Sequence, residues 1–587
     1  MYRSHTCGEL RASHIGSTVT LAGWVKKIRN LGSICFVDLR DRYGYTQLFA
    51  DESKQDVLDQ LKDVANERCL QITGIVVARP TDMINQHMLT GEIEVHIQSV
   101  TILSRSKVLP FAIDDDPKTS EEVRMKYRYL DLRRKQILTN IERRAKMNHL
   151  TRNWFTEQGF LEVQTPIFTV SSPEGARDYL IPSRVNPGHF YALPQAPQQY
   201  KQLLMVGGVD KYFQIAPCFR DEDPRADRHS CEFYQIDCEM SFVHQDDVFA
   251  VVEKYIKYLI QHFVPHKKIT VDFPRLPYEE AMARYGSDKP DMRFGCELHS
   301  LQTIFTSSDF PLFMEGRNAG NDIVGLKLSG QSVSRKEIDS FTDLVKRNGG
   351  SGLGYIKRDE TGVSGSLASK LSEKEKKDLT DEFDCVAGDI VFIMAGDVKT
   401  VRACMNKLRL ALRDTYKLSD PNHLGFVWIL DFPFFEENPD KPNGLDFAHN
   451  PFSYIQGGLE VMTRTPAKDR KTTQYDLACN GYEILSGSIR NHDPEVLIKA
   501  FEEAGYGVDE IKKRFGTMYE AFQYGPPPHG GFAIGFDRLL MILVDEDNIR
   551  EVYAFPKSGR AQDVMMGAPS VIDTKELDVL GIQVKKE

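Results

Sequence analysis

The sequence of 587 residues predicts an α+β protein of several domains: a five-stranded barrel at the front, then an antiparallel-sheet domain split by an inserted α+β module. Three observations predict it. Five runs within 17–104 alternate apolar and polar residues at the strand period; residues 286–420 are richer in Gly, Ser and Lys; and strong strand signals resume at 426. The expected divisions are 1–106 (barrel), 107–136 (connector), 137–285 and 421–560 (the two parts of the sheet domain), 286–420 (insertion) and 561–587 (C-terminal extension).

The barrel strands are expected at 19–25, 34–39, 45–49, 70–77 and 93–103, with one helical pattern at 53–64 between the third and fourth. Three strands, a helix and two strands is the plan of an OB-fold, a barrel that commonly binds oligonucleotides. A helix is predicted over 137–158, where Ile137, Ile141, Ala145, Met147, Leu150 and Trp154 recur at helical spacing and Gly159 stops the run. Residues 185–240 read as antiparallel strands, 246–263 and 398–418 as helices, and 426–555 as mainly strand. The glycine-rich stretch 349–354 lacks the Gly-Lys-Ser/Thr ending of a phosphate loop and reads as a turn.

Composition narrows the function classes. No apolar run approaches the ~20 residues that span a bilayer, and the first residues lack the apolar core of a signal peptide, so a cytoplasmic protein with no membrane role is expected. Ten cysteines occur singly with no Cys-x-x-Cys, which suggests neither a zinc ribbon nor a disulfide framework. The net charge is −10, yet residues 1–110 carry 13 Lys and Arg against 12 Asp and Glu, and residues 121–146 carry 9 against 4. The acidity lies elsewhere, so the front can still meet a polyanion.

Two arginine-bearing segments carry the chemistry. In the hairpin 212–240, period-two reading puts Phe213, Ile215, Tyr234, Ile236, Cys238 and Met240 on one face, and Gln214, Arg220, Phe233, Gln235, Asp237 and Glu239 on the other. So polar a face is either solvated or the floor of a polar site. Near the C-terminus, 530–538 runs from a glycine-rich strand into a helix beginning around Asp537. Glycine there permits close approach, a helix start favours phosphate, and Arg538 adds a planar charge.

Phe219-Arg220-Asp221-Glu222 resembles motif 2 of class II aminoacyl-tRNA synthetases, and Gly535-Phe536-Asp537-Arg538 resembles motif 3. The helix and strand ending at Pro166 resemble motif 1, which in that family forms a dimer interface, so a homodimer is implied. The segments 172–179, 193–198 with Lys201, 286–291 and 554–557 narrow the resemblance to aspartyl-tRNA synthetases of the bacterial type, and it covers nearly the whole chain.

That resemblance implies a ligase that activates L-aspartate with ATP and Mg²⁺ and transfers it to the terminal 3′-OH of tRNA(Asp). Arg220 and Arg538 are implied as the catalytic pair, on the α- and γ-phosphates. Asp221, Glu222, His229, Phe233, Glu483, Gly535, Phe536 and Asp537 complete the implied ATP site, with Glu222 on the adenine amino group and Phe233 stacked on the purine. Asp476 and Glu483 are implied metal ligands. Glu174, Gln198, Lys201, Arg220, His449 and Arg490 are implied around aspartate, Lys201 and Arg490 being a buried positive charge that asparagine would leave unpaired. Where the family often shows two consecutive histidines, this chain has His449-Asn450; His229 stands where glutamine is common. Lys27, Arg29, Phe36 and Gln47 match positions that meet the anticodon, although read from the barrel alone Phe36 would be core and Gln47 a solvated strand residue. Leu31 lies where members restricted to tRNA(Asp) tend to carry leucine; the alternative is an enzyme that also charges tRNA(Asn).

Overall fold

The computed structural model describes residues 1–114, 118–171, 176–270, 272–439, 441, 443–449 and 451–585. The chain forms two compact units, Met1–Glu142 with Val564–Gly567, and Arg143–Asp563 with Ala568–Glu587.

In the first unit, β1 (Thr18–Asn30), β2 (Ile34–Asp41), β3 (Gly44–Asp51), β4 (Cys69–Ala78) and β5 (Ile93–Ser104) close a barrel in the order β1-β2-β3-β5-β4. The helix α1 (Gln55–Leu61) lies between β3 and β4 in the chain and buries Val57, Leu58 and Leu61. Alternation sorts the faces: Cys35, Val37 and Leu39 of β2 are fully buried, whereas Phe36 and Asp38 are only partly covered. Gly23 is required where β1 meets β2, because a Cβ there would sit 2.4 Å from the Arg40 carbonyl oxygen.

In chain order, the second unit contains α2 (Lys135–Glu157, from Arg143 on), β6 (Leu161–Glu162), α3 (Gln198–Val206), β7 (Lys211–Phe219), β8 (Glu232–Ser241), α4 (Gln245–Phe263) and β9 (Arg275–Pro277). A second group follows: β10 (Leu298–Ser300), β11 (Asn321–Leu328), β12 (Gly354–Asp359), β13 (Gly362–Ser364), β14 (Ile390–Asp397) and α5 (Val398–Tyr416). Then come β15 (Phe426–Leu430), β16 (Gln474–Cys479), β17 (Tyr482–Ile489), β18 (His529–Gly535) and α6 (Phe536–Leu543). The main sheet has eight strands in the order β9-β15-β16-β17-β18-β8-β7-β6. Its apolar face is covered by helices: Phe155 of α2 stacks on Phe213, Phe249 of α4 lies 4.2 Å from Trp428, and Leu539 and Leu540 of α6 join the same core. The five strands β10-β11-β14-β12-β13 form a separate sheet, with apolar clusters on both faces, one of them built on α5.

Two stretches differ from the sequence expectation. Residues 185–240 are not all strand, because α3 lies within them. Its buried positions are Gln198, Lys201, Gln202 and Met205. The spacing is helical, but three of the four residues are polar, so no apolar period announced it. Within 426–555, helices Pro494–Glu503 and Val508–Ala521 intervene between β17 and β18. The first carries a readable signal: the Asp493 side chain accepts from the backbone N–H of Glu495, with Pro494 at the first turn.

Candidate active site

The polar face of the main sheet is the floor of the site. Pairing of β7 with β8 sets Gln214 opposite Asp237, and pairing of β8 with β18 sets Asp237 opposite Ala533 and Glu239 opposite Gly531. Gly531 has no substitute there, since a Cβ would stand 2.1 Å from a Glu239 carboxylate oxygen and 2.2 Å from the Cys238 carbonyl. The missing side chain leaves the space that the Glu239 carboxylate fills.

Four buried charges form one network on this floor. Lys201 Nζ donates to Asp237 Oδ1 at 2.7 Å and lies 3.4 Å from Glu239 Oε2. Arg490 grips Glu239 with Nε and Nη2, at 2.8 and 3.0 Å, and donates from Nη1 to Ser488 Oγ at 2.9 Å. All four residues are at most 2% exposed. The expectation that Lys201 and Arg490 stand as uncompensated charge is therefore corrected: two cations face two carboxylates. Burial alone would raise the Glu239 carboxyl, but Arg490 and Lys201 outweigh it and hold it below the ordinary range. Burial prevails at Asp237, which is pushed up despite Lys201.

Above this floor opens a cavity of about 250 Å³. Lys201 and Arg490 line one part, and Arg220, Arg228 and Arg538 line another. The Arg220 guanidinium lies 5.1 Å from the Phe233 ring centroid and makes no side-chain hydrogen bond or ion pair with any described residue. Arg538 donates from Nε to the Arg228 carbonyl at 3.1 Å and from Nη1 to the Glu483 carbonyl. Burial lowers the Arg538 guanidinium, and neighbouring Arg228 and Arg220 lower it further, against the opposing pull of Glu483. Arg228 leans on Asp227. Three guanidiniums thus share a cavity in which Arg220 has no counter-ion among the described residues, a setting that favours a polyanionic ligand. Six buried polar atoms of the lining, Gln198 Nε2, Arg220 Nε, His229 Nδ1, Asp237 Oδ2, Ser453 Oγ and Gln474 Oε1, also lack hydrogen-bond partners among the described residues. Such groups cost free energy until a ligand satisfies them.

The sequence-predicted residues divide in three ways. Gln198, Lys201, Arg220, Glu222, His229, Phe233, Glu483, Arg490, Gly535, Asp537 and Arg538 converge on the cavity. Asp221, Phe536, His449 and Asp476 are not among its lining residues. Asp221 bridges the backbone of Arg177, and Phe536 is fully buried in the main core, so its ring is unavailable to a ligand. The His449 ring packs edge-on to Phe432 at 5.0 Å, and burial lowers its imidazole despite nearby Asp288, Glu436 and Glu483. Glu174 and Asn450 lie outside the described residues. Asp537 lines the cavity, but its carboxylate is engaged by Arg144 at 2.5 Å and by the Tyr234 backbone N–H at 2.7 Å, so it fixes the start of α6 against β8. Arg228, Ser453 and Gln474 were not singled out by the sequence; Arg228 could have been, as the last arginine of the motif 2 loop.

Asp476 on β16 and Glu483 on β17 are brought together by the hairpin between those strands. Burial raises Asp476 well above the ordinary carboxylate range, and Glu483 and Asp288 add to the rise. Among the described residues no three His, Cys, Asp or Glu side chains are arranged to hold a metal on their own. Two carboxylates fit Mg²⁺ in its usual role, in which a nucleotide's phosphates and water complete the shell.

In the barrel unit, a second polar face gathers Arg29, Phe36 and Gln47. Arg29 lies 5.5 Å from the Phe36 ring and donates to Gln47 Oε1 at 3.0 Å, and Gln47 donates to Glu94 at 2.9 Å. Phe36, Phe49 and His96 follow in contact, with centroids 5.3 and 4.7 Å apart. Phe36 is therefore not barrel core. Lys27 is exposed on β1, and Leu31 at the β1–β2 turn is 66% exposed.

The profile described as class II tRNA synthetases (D, K and N) matches residues 120–559, and that of the OB-fold nucleic acid binding domain matches 19–103. Among curated relatives, the aspartate–tRNA(Asp/Asn) ligase of Ruegeria sp. (strain TM1040) is 45% identical, with 99% of each chain covered. The aspartate–tRNA ligase of Streptomyces avermitilis is 46% identical, covering 100% of this chain and 99% of that one. Asparaginyl-tRNA synthetase from Pyrococcus horikoshii complexed with asparaginyl-adenylate shares the fold with a TM-score of 0.58 at 20% identity, covering 95% of this chain and 99% of that chain. Aspartyl-tRNA synthetase from Entamoeba histolytica does so with 0.56 at 20%, covering 94% and 90%. With the profile spanning most of its length and full-length relatives at this identity, the chain belongs to the class II tRNA synthetases of the D, K and N group.

Proposed function

We propose that this chain is an aspartate–tRNA ligase, which joins L-aspartate to ATP as aspartyl-adenylate and passes it to the 3′-OH of the terminal adenosine of tRNA(Asp). The observation that carries the reading is one cavity with two characters: a three-arginine cluster suited to a triphosphate, beside the Lys201 and Arg490 donors suited to a side-chain carboxylate.

Paired as they are, Lys201 and Arg490 still choose between aspartate and asparagine. Their polar atoms are all donors, so an aspartate carboxylate can accept from them, whereas the asparagine amide would set its own N–H groups against them. In the activation step an oxygen of the aspartate α-carboxylate bonds to the α-phosphorus, the α–β bridging P–O bond breaks, and pyrophosphate leaves. Arg220 meets the charge that develops on the α-phosphate, and Arg538 with Arg228 meets the departing phosphates. Phe233 stacks on the adenine, with Glu222 and His229 at its edge. Asp476 and Glu483 would hold Mg²⁺, which when bound offsets triphosphate charge. In the transfer step the ribose 3′-oxygen attacks the activated carbonyl, and AMP leaves.

On the barrel, the Arg29, Phe36 and Gln47 face supplies an aromatic platform with a basic neighbour, suited to unstacked anticodon bases. Exposed Leu31 is read as the mark of an enzyme confined to tRNA(Asp). The chain is read as cytoplasmic; among the described residues no helix is long and apolar enough to cross a membrane. An apolar face on the second unit supports the homodimer reading: Leu161 of the edge strand β6, Phe168, Val170 and Leu180 are each more than half exposed, and Phe168 stacks on Tyr191 at 5.5 Å.

Aspartate-dependent exchange of label between ATP and pyrophosphate tests the activation step. Exchange with aspartate and Mg²⁺, and none with asparagine, lysine or a chelator, is expected; exchange driven by asparagine or lysine instead overturns the substrate. Arg490→Met leaves buried Glu239 with Lys201 as its one remaining cation among the described residues and removes a donor from the aspartate site, so kcat/KM for aspartate should fall by about 10²–10³.

Aminoacylation of purified tRNAs tests the barrel face. Phe36→Ala should cut kcat/KM for tRNA(Asp) by about tenfold or more through lost stacking, with pyrophosphate exchange intact. Efficient charging of tRNA(Asn) by the unaltered protein would replace the restricted reading with the broader one.

Sedimentation at micromolar concentration should give twice the chain mass, and Phe168→Asp should lower it to one chain. A monomeric unaltered protein contradicts the dimer.

A further inference from the structure

The segment Ala554-Phe555-Pro556-Lys557 carries part of the family resemblance, yet neither amino-acid activation nor anticodon contact gives it a task. The proposed reaction also needs the end of the tRNA held so that its terminal adenosine enters the cavity, and no residue named so far does this.

The stretch 549–557 runs along the rim of the cavity and is tied to it at both ends. Ile549 lines the cavity, and its backbone N–H donates to the Ala226 carbonyl of the motif 2 loop at 2.8 Å. Lys557 Nζ lies 3.9 Å from Glu232 Oε2 at the start of β8, one residue before Phe233, and donates to Asp563 Oδ2 at 3.3 Å. Between these points the chain is fixed. Arg550 donates from Nε to the Lys557 carbonyl at 3.0 Å, the Tyr553 ring lies 5.3 Å from the Arg144 guanidinium, and Val552 and Pro556 are buried. Pro556 also favours an extended backbone at residue 555.

On this fixed stretch Phe555 is 55% exposed. A single exposed phenylalanine is ordinary on a protein surface, so its place decides. Phe168 and Phe190, also exposed, lie in the stretch that carries the apolar face of the second unit, and Phe242 follows the end of β8 remote from Phe233. Among the described residues Phe555 is the exposed phenylalanine of the rim. The tied segments carry cations as well: Arg560 is exposed and has no ion pair among the described residues, and Arg225 and Arg228 share the one carboxylate of Asp227. An aromatic ring on a rigid support, with cations on the same rim, fits an unstacked base and its phosphates.

We propose that Phe555 is the platform on which the unpaired 3′ tail of the tRNA stacks outside the cavity, a base that precedes the terminal adenosine lying on its ring. The terminal adenosine itself is excluded, because its ribose must reach the activated carbonyl inside. Stacking there holds the tail for transfer and has no part in activation. The proposal rests on the chain being a tRNA ligase.

The test compares F555A and F555W with the unaltered protein on intact tRNA(Asp), on tRNA(Asp) lacking only the terminal adenosine, and on tRNA(Asp) lacking its whole unpaired tail. More than half exposed, Phe555 can be replaced without opening a core cavity. If the unaltered protein charges no tRNA(Asp), the ligase reading falls and the platform with it; charging by the unaltered protein separates the two. F555A should then lower kcat/KM for tRNA(Asp) about tenfold, and weaken binding of the tRNA lacking only its terminal adenosine by a similar factor, through one lost stack. Its affinity for the tail-less tRNA, and its aspartate-dependent pyrophosphate exchange, should stay within about twofold of the unaltered protein. F555W, which keeps an aromatic face, should restore charging. Undiminished charging by F555A, an equal loss on the tail-less tRNA, a matching loss of exchange, or no rescue by F555W would each overturn the proposal.

Discussion

The structure of the site depends on the pairing of Lys201 and Arg490 with Asp237 and Glu239. Four ionisable groups can lie under a sheet floor only where opposite charges face each other, and this demand accounts for several features at once. It requires glycine at 531, where any side chain would occupy the place of the Glu239 carboxylate. It requires α3 to present Lys201 to the strand that carries Asp237. Removing one member of such a set leaves a buried charge alone, at a cost of about 3–5 kcal/mol.

The rest of the cavity is built on the opposite principle. Among the described residues Arg220 is given no acceptor, and Arg538 hydrogen-bonds only to carbonyls, with Arg228 and Arg220 as well as Glu483 near it. Asp476 and Glu483 repel each other across a hairpin. Both arrangements are costly in the free protein and relieved by a ligand that brings phosphates to the arginines and a cation to the acids. In the function proposed, the compensated end selects the amino acid and the uncompensated end takes the nucleotide, so the two tasks fall to different arginines.

Much of this was legible in the sequence because strands declare their faces. The period-two alternation of 212–240 already separated Asp237 and Glu239 from Ile236 and Cys238, and five alternating runs with one helix announced the barrel. What stayed hidden was whatever depends on partners distant in the chain. Nothing near Lys201 or Arg490 indicates that each meets a carboxylate from β8, so the sequence alone suggested free positive charge there. The helix α3 was missed because its buried side is polar, and the fate of Asp537 is decided by Arg144, far away in sequence. Phe36 shows the converse: an aromatic residue in a barrel strand reads as core, whereas register puts it on the outer face with Arg29 and Gln47.

The claim that the compensated end reads a side-chain carboxylate is tested most directly by equilibrium binding of free amino acids, followed by calorimetry in the presence of a non-hydrolysable ATP analogue. Aspartate should bind, and asparagine, differing by one amide, should bind at least about 100-fold more weakly. Equal affinities would contradict the account.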